Sequence, residues 1–343
     1  MRRTTRWTTV VAAVAALGLL TGCGGSDTSS ASQDPPTLTL YNAQHEDLMM
    51  LMVADFTKRT GIDVRMRSGD DTELANQLVQ EGAASPADVF VTENSPSMTL
   101  VARKGLFAPV AAPALAQVAP RYVPSDRTWV GFAARSTVFA YNTDQVKPGA
   151  LPASLLDLAQ PQWKGRFGVS AGGADFQAIV SAVLALKGEA ATSAWLKGVK
   201  DNAKIYEGNE AVMKAVNSGE IQGGVIYHYY WFKDRAESGA NSKNVALEYF
   251  GKQDPGAFVG LSGAGVLKSS TEQAAAQQLV AYLNGPQGQQ VLADSPAMEY
   301  AVGNGTASAK GLKPLDQLDA PTVDVAQLNA PKVVDLMQQA GLL

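Results

Sequence analysis

The residues with the most chemistry in them are two phenols, a carboxylate and an imidazole. Tyr229 and Tyr230 stand in GGVIYHYYWFKD (223–234), which also carries Tyr227, His228, Trp231 and Phe232, in a chain only 7% aromatic. His45, one of two histidines, closes TLYNAQHEDL, and Glu93 closes ADVFVTE. Phenolate, carboxylate and imidazole make a hard, mostly oxygen donor set, suited to a small, highly charged cation and poorly suited to metals that want thiolate.

These side chains meet only if the right elements present them. TLTLYN alternates as a strand, EDLMMLMVADFTKRTG has helical spacing with Gly61 as its stop, and IDVRMRSG, DTELANQLVQEGA and ADVFVTE read as strand, helix and buried strand. His45 and Glu93 thus follow the first and third strands, at the carboxyl ends where α/β sheets present side chains to a cleft. GGVIYH reads as a strand and YYWFKDRAESGA as the helix after it. On a continuous strand Tyr229 and Tyr230 would face opposite ways, but at a strand-to-helix turn they converge. Trp231 and Phe232 are expected in the core under that helix, and His228 is expected to be structural. Tyr227 shares the strand face of Tyr229 and is either core, an extra hydrogen-bond donor or an alternative ligand.

The helix–strand alternation resumes in GRFGVSAGGADFQAIVSAVLALKG, in AKIYEGNEAVMKAVNSGEIQGGVIYHYYWFKDRAESGA and in TEQAAAQQLVAYLNGPQGQQVLADS. It predicts an α/β protein with mixed sheets covered by helices and a ligand cleft between two lobes. No internal repeat is visible, which argues against solenoids and propellers. The boundaries expected are an N-terminal lobe of 37–133 plus 262–310 and a C-terminal lobe of 134–261 plus 311–343.

Residues 1–22 have three arginines, no acid, then an apolar run of Val, Ala and Leu, the layout of a secretory signal peptide. The run ends in Leu20-Thr21-Gly22-Cys23, which resembles a bacterial lipobox and makes Cys23, the only cysteine, the expected lipidated residue. Residues 23–36, rich in Gly, Ser, Asp and Pro, read as a flexible tether. The protein is therefore expected outside the cytoplasm, held to the membrane face by lipid. The leader's arginines carry +3 of a net charge of −4, leaving the rest near −7, with no basic tract for nucleic acid. The remaining length of about 320 residues suits two domains.

YNAQHED, SPADVFVTEN, KGLFAPV, PQWKGRFGVS, YEGNEAVMKAVNSGE, HYYWF and QDPGAFVGLSGAGVLK resemble the successive motifs of the bacterial ferric-ion-binding proteins, solute receptors of iron(III) ABC importers. The resemblance runs from about residue 38 to the C-terminus and implies the two-lobed periplasmic-binding-protein (type II) fold. It also implies a monomeric receptor that captures Fe(III) and hands it to an importer permease, with His45, Glu93, Tyr229 and Tyr230 as metal ligands. Two phenolates and one carboxylate then balance Fe(III). Because a free phenol has a pKa of about 10, only a strongly Lewis-acidic ion holds both ionised at neutral pH, which selects against Mg(II) and Ca(II).

Four protein donors leave two octahedral positions, which family members fill with phosphate, carbonate or water. The anion donors implied are Asn94, Asn209 and the turn from Ser170 to Asp175 with its helix-opening Gly172, Gly173 and Ala174, together with Arg135 and Tyr227. Family members that bind phosphate carry Asn two residues before the tyrosine pair, where this chain has Tyr227, and their Ser-Gly-Ala turn is not matched cleanly by SAGGAD. The competing reading is a receptor of the same fold for a metal-free solute such as a polyamine, thiamine or an oxyanion. An enzyme is not expected: the chain has no HExxH, no GxSxG and too few histidines for a typical triad plus a metal shell.

Overall fold

The computed structural model describes residues 36–343. The leader, Cys23 and all but the last residue of the expected tether lie outside them. In chain order the elements are β1 (Thr37–Ala43), α1 (Glu46–Thr60), β2 (Asp63–Ser68), α2 (Asp71–Glu81), β3 (Val89–Thr92), α3 (Ser95–Arg103) and α4 (Ala112–Leu115). Then come β4 (Val130–Asn142), β5 (Phe167–Val169), α5 (Ala174–Lys187), α6 (Glu189–Asn202), β6 (Ala203–Ile205), α7 (Asn209–Ser218), β7 (Gly223–Tyr227) and α8 (His228–Glu237). The last are β8 (Val245–Glu248), β9 (Val259–Val266), α9 (Gln273–Asn284), α10 (Pro286–Asp294), β10 (Tyr300–Ala301) and α11 (Ala330–Gln339).

The strands run in the order β2-β1-β3-β9-β4-β7-β5-β6, with β8 and β10 also paired to β4. β1 is parallel to β2 and β3, and β5 is parallel to β6 and β7, as strands joined by helical crossovers must be. Between these parallel wings β9 and β4 run antiparallel to their neighbours. β4 spans both halves: Val130–Ser136 pairs with β9, while Thr137–Asn142 pairs with β7 and β8.

Apolar packing divides the same way. Leu38, Leu40, Val89, Phe90, Phe132, Leu261 and Val266 pack with Met49, Met52 and Phe56 of α1 in one cluster, which also takes in Leu318, Val325 and Leu328. Phe139, Phe167, Val169, Phe176, Ile179, Tyr227 and Tyr229 form a second with Val333, Leu336 and Met337 of α11. A third, around Val212, Val216 and Ile226, lines the other side of β7.

Burial fixes the helices that carry the site. Met49, Met52 and Phe56 are fully buried, each stabilising by about 1.5–3 kcal/mol, whereas the surface pair Arg59–Asp55 on the same helix is an i,i+4 pair worth about 0.3–0.5 kcal/mol. α1 ends at Gly61, whose φ of 74° lets its N–H cap Thr57 O. The Gly223-Gly224 pair opening β7 has a different cause. A Cβ there would lie 2.2 Å from Phe139 Cζ or from Val212 Cγ1, so only glycine lets the strand that delivers the tyrosines enter between its neighbours.

Candidate metal centre

His45 is the residue before α1, and its main-chain N–H donates to Gln44 Oε1 at 2.6 Å. Glu93 directly follows β3. Its turn is held by the buried Asp71 carboxylate, which accepts the main-chain N–H of Glu93 and of Asn94, each at 3.0 Å. Asp71 opens α2, where the Asp70 side chain caps Thr72 and Glu73.

β7 ends at Tyr227 and α8 begins at His228, so the change of element falls one residue earlier than the sequence suggested. Both tyrosines therefore lie in the first turn of a helix, and their rings stack with centroids 4.2 Å apart. Tyr229 is buried and donates to Glu93 Oε1 at 2.9 Å. His45 Nε2 lies 3.5 Å from the same oxygen, and the His45 ring meets Tyr229 edge-on at 5.0 Å. Tyr229 and His45 thus converge on Glu93 Oε1 from opposite halves of the protein, while Tyr230, stacked on Tyr229, turns its hydroxyl to Asp175. Among the described residues no trio of His, Cys, Asp or Glu alone is arranged to hold a metal, so any such site depends on the phenols.

The expected anion donors are engaged by a carboxylate of the chain itself. Asp175, the second residue of α5, accepts from Asn94 Nδ2 at 3.0 Å, from Asn209 Nδ2 at 2.8 Å and from the Tyr230 hydroxyl at 3.2 Å. Its place in the first turn favours a negative charge. Of the preceding turn, Ser170 is buried beneath Gly173, Gly172 is exposed and its carbonyl accepts from Gln177, and Gly173 and Ala174 open the helix. Arg135 is also occupied: its guanidinium bonds Glu93 O, Ser262 Oγ at 2.7 Å and Glu299 Oε2 at 2.6 Å.

Tyr227 is fully buried, and its hydroxyl, packed where Gly260 leaves room, has no hydrogen-bond partner among the described residues. His228 is buried, accepts the Ser136 N–H on Nδ1 and stacks on Tyr300, as a structural residue would. Trp231 and Phe232 are only half-buried and pack on each other, Trp231 donating to Val245 O and lying under Arg235. Both were expected in the core; the helix turns their side outward because its inward face is taken by the tyrosines and Asp234.

Burial, then the negative charges of Asp175 and Glu93, push both the Tyr229 and Tyr230 phenols well above their ordinary value. Burial and the Glu93 charge push Asp175 up to about 7. Glu299 goes the other way: burial opposes its charge, but Arg135 and His45 hold it down at about 2. Burial likewise disfavours protonated His45, yet contact with Glu299 and Glu93 outweighs this and raises it. The result is an electron-rich pocket whose phenols are held in the protonated form.

Asp71, Asp175 and Glu299 were not singled out as candidates from sequence. Asp175 carried a signal, being the first acid of a helix opened by a glycine turn. Glu299 carried none, since it reaches the site from the residue before a two-residue strand late in the chain. A cavity of about 480 Å³ elsewhere, lined by Tyr122, Phe258, Leu261, Leu315 and Val323, takes in none of these residues.

Two α/β lobes bridged by crossing strands, with polar side chains of both converging in the cleft, define a periplasmic binding protein of the type II fold. The family model described as bacterial extracellular solute-binding protein matches residues 84–325, and the chain belongs to that family. It is 59% identical to the Fe(3+)-binding periplasmic protein of Serratia marcescens over 319 residues, covering 93% of this chain and 94% of that one. It is 35% identical to the major ferric iron-binding protein of Neisseria meningitidis serogroup B, covering 89% and 93%. The iron-bound HitA of Pseudomonas aeruginosa superposes with a TM-score of 0.84 at 41% identity, covering 90% of this chain and all of that one.

Proposed function

We propose that this protein is an extracytoplasmic receptor, not an enzyme, that closes its lobes on ferric iron and delivers it to an ABC importer permease. His45, Glu93, Tyr229 and Tyr230 are the ligands. The observation that carries the reading is the meeting of the Tyr229 phenol and the His45 imidazole at Glu93, with Tyr229 donating to it at 2.9 Å from the opposite lobe and Tyr230 stacked beside Tyr229. Iron-binding relatives at up to 59% identity across nearly the whole chain support the choice of ion.

Two neutral phenols must ionise on binding. At pH 7 that costs at least ~4 kcal/mol each from an unperturbed pKa of about 10, and burial raises the cost further. A divalent hard cation does not repay it, but Fe(III) does. Asp175, 3.2 Å from the Tyr230 hydroxyl and already holding Asn94 and Asn209, stands where a free phosphate or carbonate was expected and adds a fifth oxygen donor. Water completes the octahedron.

A lipid on Cys23 tethers the monomer to the membrane face beside its permease. The proposed lobes are 37–133 with 262–310 and 134–261 with 311–343, joined through β4 and β9, with the stretch carrying Leu318, Val325 and Leu328 crossing back to pack on the first. Metal analysis and a visible spectrum of the purified protein after titration with ferric nitrilotriacetate test the reading. One equivalent of iron with a phenolate-to-iron absorption band is expected, and a colourless protein that binds none would overturn it.

A further inference from the structure

We propose that Glu299 is the positioning residue of the metal centre: its buried carboxylate faces His45 Nδ1 and sets the ring so that Nε2 is turned toward the ion. This rests on the proposed reading of His45 as a ligand. His45 Nδ1 and Glu299 Oε1 lie 3.1 Å apart, and neither atom has another partner among the described residues. At that distance a small turn of the ring is enough to complete a hydrogen bond between them. Donor and acceptor bonds at binding sites are commonly long or misaligned until the ligand is in place. On the other edge of the ring, Nε2 faces Glu93 Oε1 at 3.5 Å, the point on which Tyr229 also converges.

Glu299 is held too firmly to be an incidental neighbour. It is fully buried, and its second oxygen takes Arg135 Nη2 at 2.6 Å and Gln44 Nε2 at 3.3 Å. Gln44 in turn accepts the main-chain N–H of His45, and Arg135 reaches on to Glu93 O and Ser262. β10 pairs Tyr300 with Ala134 and so sets Glu299 beside Arg135. A buried carboxylate with one oxygen neutralised by arginine could spend its second oxygen on any donor, and among the described residues the donor that faces it is Nδ1. Partners of this kind orient a ligating imidazole and raise its basicity, and losing them costs about ten- to a hundredfold in metal affinity.

The test is a double-mutant cycle on the full chain, with iron affinity read by competition against nitrilotriacetate. Wild type, Glu299→Gln, His45→Ala and the double variant are compared. Glu299→Gln is expected to weaken binding about ten- to a hundredfold and to add nothing once His45 is alanine. An unchanged affinity, or the same loss in both backgrounds, would overturn the proposal and leave Glu299 as a partner of Arg135 alone. Should Glu299→Gln fail to fold, nitrogen-15 NMR of wild type loaded with diamagnetic Ga(III) decides: a proton on Nδ1 with Nε2 bound supports the assignment, and the opposite tautomer sinks it. A wild type that binds no iron would instead fell the functional reading itself, a result distinct from either of these.

Discussion

Tyr229 and Glu93, 136 positions apart in sequence, meet across the cleft with the phenol donating to the carboxylate at 2.9 Å. Each comes from a different lobe and a different kind of turn, one opening a helix after β7 and the other closing β3. That bond marks where the two halves of the site close on each other.

Replacing either member of the tyrosine pair with Phe keeps the ring and its packing and removes one anionic donor. Tyr229→Phe and Tyr230→Phe are each expected to lose most of the phenolate-to-iron absorption and to weaken iron binding by on the order of a hundredfold or more. Unfolding free energy should fall by only about 1 kcal/mol, the worth of one hydrogen bond. Visible titration and urea unfolding check the two halves of the prediction.

Wild-type affinity should be indifferent to added phosphate or carbonate, because Asp175 already occupies the Asn94 and Asn209 amides. Asp175→Asn removes the charge at nearly constant volume. Iron binding by this variant should weaken and then recover in part when phosphate is supplied. A wild type that needs the anion would show that Asp175 moves aside instead of ligating.

His228 makes its own contribution to the acid sensitivity of the fold, opposed between about pH 7 and 4 by Asp175, whose folded pKa is raised to about 7. Burial is the main cause that lowers its folded pKa to about 3, against about 6.5 in an unfolded chain. Above about 6.5 both states are neutral and nothing is lost. As pH falls below that value the unfolded state takes up a proton that the folded state refuses until about 3, so stability drops by up to ~1.4 kcal/mol per pH unit. His228→Asn keeps an acceptor for the Ser136 N–H and should flatten that part of the urea-unfolding curve of the iron-free protein, at some cost in packing against Tyr300.

Attachment is checked by fractionation. Cys23→Ser should move the protein from the membrane to the soluble fraction, and mass spectrometry of the wild-type N-terminus should show a diacylglycerol on Cys23.

Much of this was legible in the sequence because it is local. α1 with its Gly61 stop, β3 ending before Glu93 and the strand-to-helix change beside Tyr229 all follow from periodicity and punctuation over a dozen residues. The antiparallel β9–β4 centre was not legible, since nothing within either strand encodes which neighbour lies beside it. Glu299 and Asp71 escaped for the same reason: each acts through tertiary contacts, and neither stands in a motif. Two of the expected anion donors, Asn94 and Asn209, do lie together, but the Asp175 carboxylate that engages them was not anticipated, because from sequence it is one more acid in a helix's first turn. Trp231 and Phe232 were misplaced because hydrophobicity alone does not say which side of a helix wins the interior.

β4 passes through both halves of the sheet and carries Arg135 at the crossing, and this makes the two faces of the cleft electrically unequal. On the side of β1 and β3, Glu93 and His45 sit beside a fixed guanidinium. The side of α5 and α8 brings Tyr229, Tyr230 and Asp175 with no cation of its own among these contacts. If the proposed ligands hold iron, a trivalent ion should stay, when the lobes part, with the face that brings three of the oxygen donors. A variant locked open by an engineered cross-link should therefore keep its charge-transfer colour, and surrender it only when something else withdraws iron from the tyrosines.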